Sequence, residues 1–268
     1  MFRALPILVA GLIACAPAAL ADELVLYGAG SLRDALGAIV QDFSAKTGIA
    51  VRTSFGPSGL MRQKIEAGDK VDIFASADMV SPLKLKQDGK AASVVMFTRN
   101  RLCAFATPEA ELNAANFAQR LVEPAVKLGT STPKADPGGD YTWAMFHRID
   151  TQSPGVFATL DGKAQKIVGG TTAAIPAGTD PIADALKSGT INVMIGYCSG
   201  AAQRKKATPG IAVVQVPDAY DVGPEYGLAL KRVDNPEAVA LMLAILSPEG
   251  QAELARFGFA PVGAISQP

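Results

Sequence analysis

The sequence predicts an α/β protein of two lobes, joined by two crossing strands, with a cleft between the lobes. Three observations lead there. Short apolar strands alternate with helical patterns along most of the chain, the pattern of α/β folds with largely parallel sheets. Two early strands each run into a turn holding Gly and Ser and then into a helix: Leu24–Tyr27 into Gly28-Ala29-Gly30-Ser31, and Val51–Phe55 into Gly56-Pro57-Ser58-Gly59. Stretches around Thr98–Asn100 and Val222–Glu225 read as an outbound and a return crossing, and two crossings make a hinge. One lobe is therefore expected from residues 22–99 and 224–268, the other from 100–223.

In chain order, strands are expected over 23–27, 50–55, 71–75, 93–97, 101–106, 126–129, 165–169, 191–197, 211–216 and 225–230. Helices are expected over 32–46, 59–67, 79–87, 114–121, 139–149, 155–162, 179–187, 199–206, 235–246 and 248–256. Asp180-Pro181 reads as a cap followed by proline at the first helical position, and Ser247-Pro248-Glu249 repeats it. The last helices, through Phe257-Gly258-Phe259, are expected to pack back on the first lobe.

Residues 1–21 read as a signal peptide. Arg3 gives a short positive start, Leu5–Ala14 an apolar run too short to span a bilayer, and Ala19-Leu20-Ala21 an A-x-A cleavage site. A rival reading makes Leu12-Ile13-Ala14-Cys15 a lipobox with Cys15 carrying a lipid anchor. The cleaved, periplasmic form is preferred because the A-x-A site is clean and the apolar run continues past Cys15. Export implies an oxidising compartment. Cys103 and Cys198 then remain, either as one disulfide or as two buried thiols.

Arg3 is the only charged residue of the leader, so the remainder carries 24 basic against 25 acidic side chains. With no basic excess to neutralise phosphates, nucleic acid is not an expected partner. About 247 residues suffice for one large or two medium domains.

Ser31 and Ser58 lead the candidate site. Each stands at a helix start, where unpaired N–H groups and the positive dipole end favour an anion without Lys or Arg. A Ser at such a turn often only caps its helix. Two such turns at strand ends in one half of the chain favour ligand contact instead, because ligands of open α/β sheets sit at the carboxyl ends of strands. The loop from Gly129 to Tyr141 suits a binding loop with a donor-rich helix start at Gly138-Gly139, or else a surface linker. Asp136 in that loop repels an anion unless it points away or the ligand is not a simple anion. Thr179 opens a further helix after the Gly169–Gly178 loop. Tyr197 ends an apolar strand and offers a phenol donor, or a plain core residue. Asp78 reads as a cap for the helix after it.

Catalysis finds little support. His147 is the single histidine, and no G-x-S-x-G, H-E-x-x-H or paired C-x-x-C occurs. Gly28-Ala29-Gly30 lacks the third glycine of a dinucleotide fingerprint, since Arg33 stands there. Neither an enzyme nor a bound cofactor is expected, and no metal is held directly.

With these residues in place, the chain resembles the periplasmic molybdate-binding proteins, the solute receptors of molybdate ABC importers. The resemblance rests on Tyr27–Leu32, Ser54–Leu60 with Arg62-Gln63 and Ile65–Gly68, Asp72–Asp78, Gly196-Tyr197, Glu225-Tyr226, Gly250-Gln251 and Arg256–Phe259. It implies a type II periplasmic-binding-protein fold that closes on a tetrahedral dianion with neutral donors. The implied contacts are Ser31, Ser58, the backbone at Gly138 and Thr179, and Tyr197. The implied ligand is molybdate or tungstate, with molybdenum present only inside the oxyanion. The implied partner is an inner-membrane permease, and the receptor is expected as a monomer. Asp136 and Asp140 motivate the alternative, a receptor of the same fold for another oxyanion, a metal complex or a small organic acid.

Overall fold

The computed structural model describes residues 23–169 and 180–262. The chain opens with β1 (Leu24–Ala29), a 3-10 turn over Gly30–Leu32, α1 (Arg33–Thr47), β2 (Val51–Gly56), α2 (Ser58–Ala67), β3 (Ile73–Ser76), α3 (Val80–Gln87) and β4 (Ser93–Arg99). It then crosses into β5 (Leu102–Ala106), α4 (Phe117–Val122), β6 (Leu128–Ser131), α5 (Pro137–Gln152), α6 (Val156–Lys163), β7 (Gln165–Val168), α7 (Pro181–Lys187), β8 (Val193–Tyr197), α8 (Ala201–Ala207) and β9 (Ala212–Gln215). It returns through β10 (Glu225–Leu230), α9 (Pro236–Leu246), α10 (Pro248–Arg256) and β11 (Ala260–Pro261).

These strands form two sheets, β11-β4-β10-β3-β1-β2 and β7-β6-β8-β5-β9. Both are mixed, which corrects the expectation of largely parallel sheets. The antiparallel members include the strands that arrive from the other lobe, β10 against β3 and β4 and β5 against β8 and β9, and the short β11 also runs against β4. A strand entering from the hinge begins where its neighbours end, so it must run the opposite way. The same directions gather the carboxyl ends of β1, β2, β3, β6 and β8 at the side where the lobes meet.

Helices cover both faces of each sheet, so the strands read as apolar runs. In β1, Leu24 and Leu26 pack with Leu36, Ile73 and Leu241 on one face, while Val25 packs with Met61, Ile65 and Phe74 on the other. In the second lobe Leu102 and Ala104 meet Phe117, Leu128 and Phe146, whereas Cys103 and Phe105 meet Leu186 and Met194. The cysteine question resolves as a disulfide between Cys103 and Cys198 across the β5–β8 pair.

Local chemistry explains the shifted boundaries. The fourth helix starts at Phe117 rather than 114 because the Asn113 carboxamide accepts the Ala115 and Asn116 N–H groups in a turn. The fifth starts at Pro137 rather than 139 because Asp136-Pro137 is the same cap-then-proline signal as Asp180-Pro181. Asp180 and Ser247 cap their helices as expected, accepting the Ala183 and Gly250 N–H groups.

Candidate functional site

Hydrogen-bond polarity decides what the lobe interface can hold. Ser31 lies in the 3-10 turn after β1, its Oγ 3.0 Å from the Tyr226 Oη. Tyr226 is the second residue of the returning strand β10 and is fully buried. Its oxygen receives the Asn100 side-chain N–H at 3.1 Å. That amide is oriented, because its oxygen accepts the Arg101 N–H at 2.9 Å and its nitrogen also donates to the Ser199 Oγ at 2.8 Å. An amide N–H can only donate. Tyr226 accepts from Asn100, so its one proton is available to Ser31. With Ser31 accepting it, the Ser31 proton is left for something else.

Ser58 arrives at the same polarity by another route. It is the first residue of α2 and only 1% exposed. Its Oγ accepts the Ala77 N–H at 3.0 Å, again leaving the hydroxyl proton free to donate. The third hydroxyl is that of Tyr197, at the end of β8. Its oxygen is buried and has no hydrogen-bond partner among the described residues. The Tyr197 ring stands edge-on to Tyr226 with centroids 5.6 Å apart, so it touches the core of both lobes. Burial, helped by the neighbouring Tyr226 and Asp136, pushes its phenol far above the ordinary range, and it stays a neutral donor.

Short links tie these groups together. Ala77, bonded to Ser58, adjoins Asp78, whose carbonyl accepts the Gly227 N–H at 3.1 Å beside Tyr226. Asp78 also accepts from the Ser76 hydroxyl and from the Ser81 N–H and hydroxyl, as expected of a residue capping α3. Across the interface, Tyr141 of α5 donates to the Glu225 carbonyl and accepts the Glu225 N–H, both at 3.2 Å.

The loop from Thr132 to Asp136 forms the opposite wall. A Cβ at Gly59 would stand 2.6 Å from the Lys134 carbonyl oxygen and 2.9 Å from that of Ala135. The first turn of α2 therefore abuts this loop as closely as backbone allows. Gly59→Ala is expected to hold the wall back and weaken ligand affinity at least about tenfold, checked by titration calorimetry beside a melting curve.

Gly138 sits in the first turn of α5, but its N–H donates to the Asp136 Oδ1 at 2.8 Å. Asp136 thus caps α5 and occupies the backbone donor that the resemblance assigned to a ligand. Asp140 turns back on the loop and accepts the Lys134 N–H at 2.9 Å. Thr179 lies outside the described residues. Residues that sequence reasoning missed are Tyr226 and Asn100, which set the polarity of Ser31. Asn100 was visible only as part of a crossing, and Tyr226 only as part of a strand and of the Glu225-Tyr226 pair behind the resemblance, with no role of its own.

Asp136 is the one site carboxylate whose acidity moves far. Burial, opposed by the Gly138 N–H and reinforced by Asp140 and Asp78, pushes it up to about 6. The folded state therefore holds a proton that the unfolded chain releases near pH 4. Stability falls as pH rises through this window and levels off above about 6. Asp136→Asn keeps the cap and removes the charge. It is expected to raise stability above pH 7 by about 1–3 kcal/mol, at about 1.4 kcal/mol per pKa unit, and to change nothing near pH 4. Melting curves from pH 4 to 8 check this.

The sequence matches the family described as bacterial extracellular solute-binding protein over residues 24–260. An uncharacterized protein of Pasteurella multocida, PM1146, is 35% identical over 238 residues, 88% of this chain and 98% of its own length. The molybdate-binding protein ModA of Azotobacter vinelandii is 36% identical over 89 residues, about a third of each chain. Among solved structures, the periplasmic molybdate-binding protein of Azotobacter vinelandii aligns with a TM-score of 0.70 at 20% identity, over 90% of this chain and all of that one. The sulfate-binding protein SubI of Mycobacterium tuberculosis aligns at 0.72 and 17% identity, over 90% and 88%. The fold is the two-lobe periplasmic-binding-protein fold.

Proposed function

From the premise that this chain belongs to the bacterial extracellular solute-binding proteins, we propose that it is a periplasmic receptor for a tetrahedral oxyanion of the molybdate or tungstate class. The receptor holds the anion between its lobes and presents the loaded form to the permease of an ABC importer. The family and fold are those of solute-binding proteins, not of enzymes. Among the described residues no helix is long and apolar enough to cross a membrane.

The observation that carries the ligand class is the shared polarity of Ser31, Ser58 and Tyr197. Ser58 accepts a hydrogen bond from the protein, Ser31 is placed to accept one from Tyr226, and Tyr197 has no partner among the described residues. Three free O–H donors favour a guest that accepts hydrogen bonds. A dianion gains most from this, because each hydrogen bond to a charged group contributes about 1.5–3 kcal/mol, roughly twice a neutral one. Neutral donors spread the charge without the desolvation that a buried Lys or Arg demands.

Asp136 supports a second reading, a receptor for another oxyanion or a small organic acid, because a carboxylate beside the donors favours a guest with a proton to offer. Titration calorimetry with molybdate, tungstate, sulfate, phosphate and a small hydroxy acid separates the two. Tightest binding of molybdate or tungstate is expected. Binding of none of the anions by folded protein contradicts the proposal, and tightest binding of the organic acid moves it to the second reading.

A further inference from the structure

Asp136 differs from the hydroxyls of the candidate site. Ser31, Ser58 and Tyr197 offer protons, whereas Asp136 offers a carboxyl group. Its Oδ1 is engaged by the Gly138 N–H, leaving Oδ2 without a protein donor among the described residues. The loop that carries it is pinned on both sides. The carbonyls of Lys134 and Ala135 abut Gly59 of α2, and a Cβ at Gly169, just past β7, would lie 3.1 Å from the Asp136 Cβ. Asp136 therefore has little freedom to swing away when the cleft fills.

We propose that Asp136 and the bound oxyanion hold one proton between them, so that capture of a fully deprotonated dianion takes up a proton from solvent. This rests on the oxyanion reading above and adds a residue that sets its pH range and its choice of anion. Two facing carboxyl and oxyanion oxygens without a proton repel each other. With one proton they make a charge-assisted O–H···O⁻ bond. The proton comes from water when the guest is molybdate, tungstate or sulfate, and from the guest itself when it is a hydrogen-bearing anion such as hydrogen phosphate.

Among the described residues no other group around Asp136 is placed to do this. The charged or titratable side chains around Asp136 are Asp140 on its own helix, Asp78 from the first lobe, and the phenols of Tyr141, Tyr197 and Tyr226. The Lys134 side chain is exposed, and Lys166 of β7 lies over the Trp143 ring instead. The carboxylates add negative charge, and the phenols stay neutral because burial holds their protons on. The acid group rests near pH 6, so both of its forms are reachable around neutrality.

A plain N-cap role for Asp136 is the competing explanation, and asparagine separates the two because it caps equally well without titrating. The experiment is calorimetric titration of the full chain with molybdate at pH 6, 7 and 8, each in two buffers of different ionisation enthalpy, for the wild type and Asp136→Asn. The wild type is expected to take up close to one proton per anion at pH 8 and to weaken about tenfold per pH unit above 6. Asp136→Asn is expected to show neither effect and to bind up to about a hundredfold tighter than wild type at pH 8. Molybdate binding with no proton uptake in the wild type overturns the proposal, and that measurement needs no variant. So does an unchanged pH dependence in Asp136→Asn. Absence of molybdate, tungstate and sulfate binding at every pH instead overturns the oxyanion reading itself.

Discussion

In the Ser31→Ala, Ser58→Ala double variant, oxyanion affinity is expected to fall at least a hundredfold while the protein remains folded. On the proposed reading each hydroxyl donates one charge-assisted hydrogen bond to the guest, and losing two removes about 3–6 kcal/mol. At about 1.4 kcal/mol per factor of ten, that is two to four orders of magnitude. Stability also changes, for a reason visible in the same bonds. Ser58→Ala strips the Ala77 N–H of its acceptor, and Ser31→Ala strips the Tyr226 hydroxyl of its acceptor. An orphaned buried donor costs about 1–3 kcal/mol, and a chain of this size shifts by about 2–4 °C per kcal/mol. Melting is therefore expected roughly 5–15 °C lower, with affinity measured well below the transition. Ser→Thr at the same positions keeps the hydroxyl and should retain much of the binding. Unchanged affinity in the double alanine variant would reduce both serines to helix-start residues.

Removing the disulfide is expected to give the largest loss of stability from a covalent change. Cys103 and Cys198 close a loop with a sequence separation of 95, which holds most of the second lobe. A bridge over a loop of that length typically contributes about 2–5 kcal/mol by restricting the unfolded chain. A Cys103→Ala, Cys198→Ala variant should melt roughly 5–15 °C lower, and the wild type should match it in reductant. Cys198 follows Tyr197 directly, so affinity should weaken also, but by less than in the double serine variant. Equal melting temperatures with and without reductant would contradict the assignment.

Much of the fold could be read from residues, because apolar strands and capped helices announce themselves locally. Asp180-Pro181 and Ser247-Pro248 marked helix starts that the structure contains. Asp136-Pro137 carried the same signal and went unread, since the polar run from Gly129 to Tyr141 suggested a loop. Sheet direction was less legible. Whether β5 and β10 run with or against their neighbours depends on where the chain crosses between lobes, which no local pattern encodes.

The candidate site divides along similar lines. Ser31 and Ser58 stood out from their turns alone. What makes them donors did not, because Tyr226 lies 195 residues from Ser31 and Ala77 lies 19 from Ser58. The role of Asp136 as a cap that takes the Gly138 N–H needed coordinates as well. The Cys103–Cys198 bond was one of two open readings, and only the pairing of β5 with β8 decided it.

Three hydroxyl protons facing one small anion in the interlobe cleft is a geometric statement, and crystals grown with tungstate put it to measurement through the anomalous signal of the metal atom. One strong peak is expected between the lobes, with tungstate oxygens about 2.6–2.9 Å from the Ser31 Oγ, the Ser58 Oγ and the Tyr197 Oη. A bound tungstate that touches none of these hydroxyls, or an ordered peak outside the cleft alone, would contradict it.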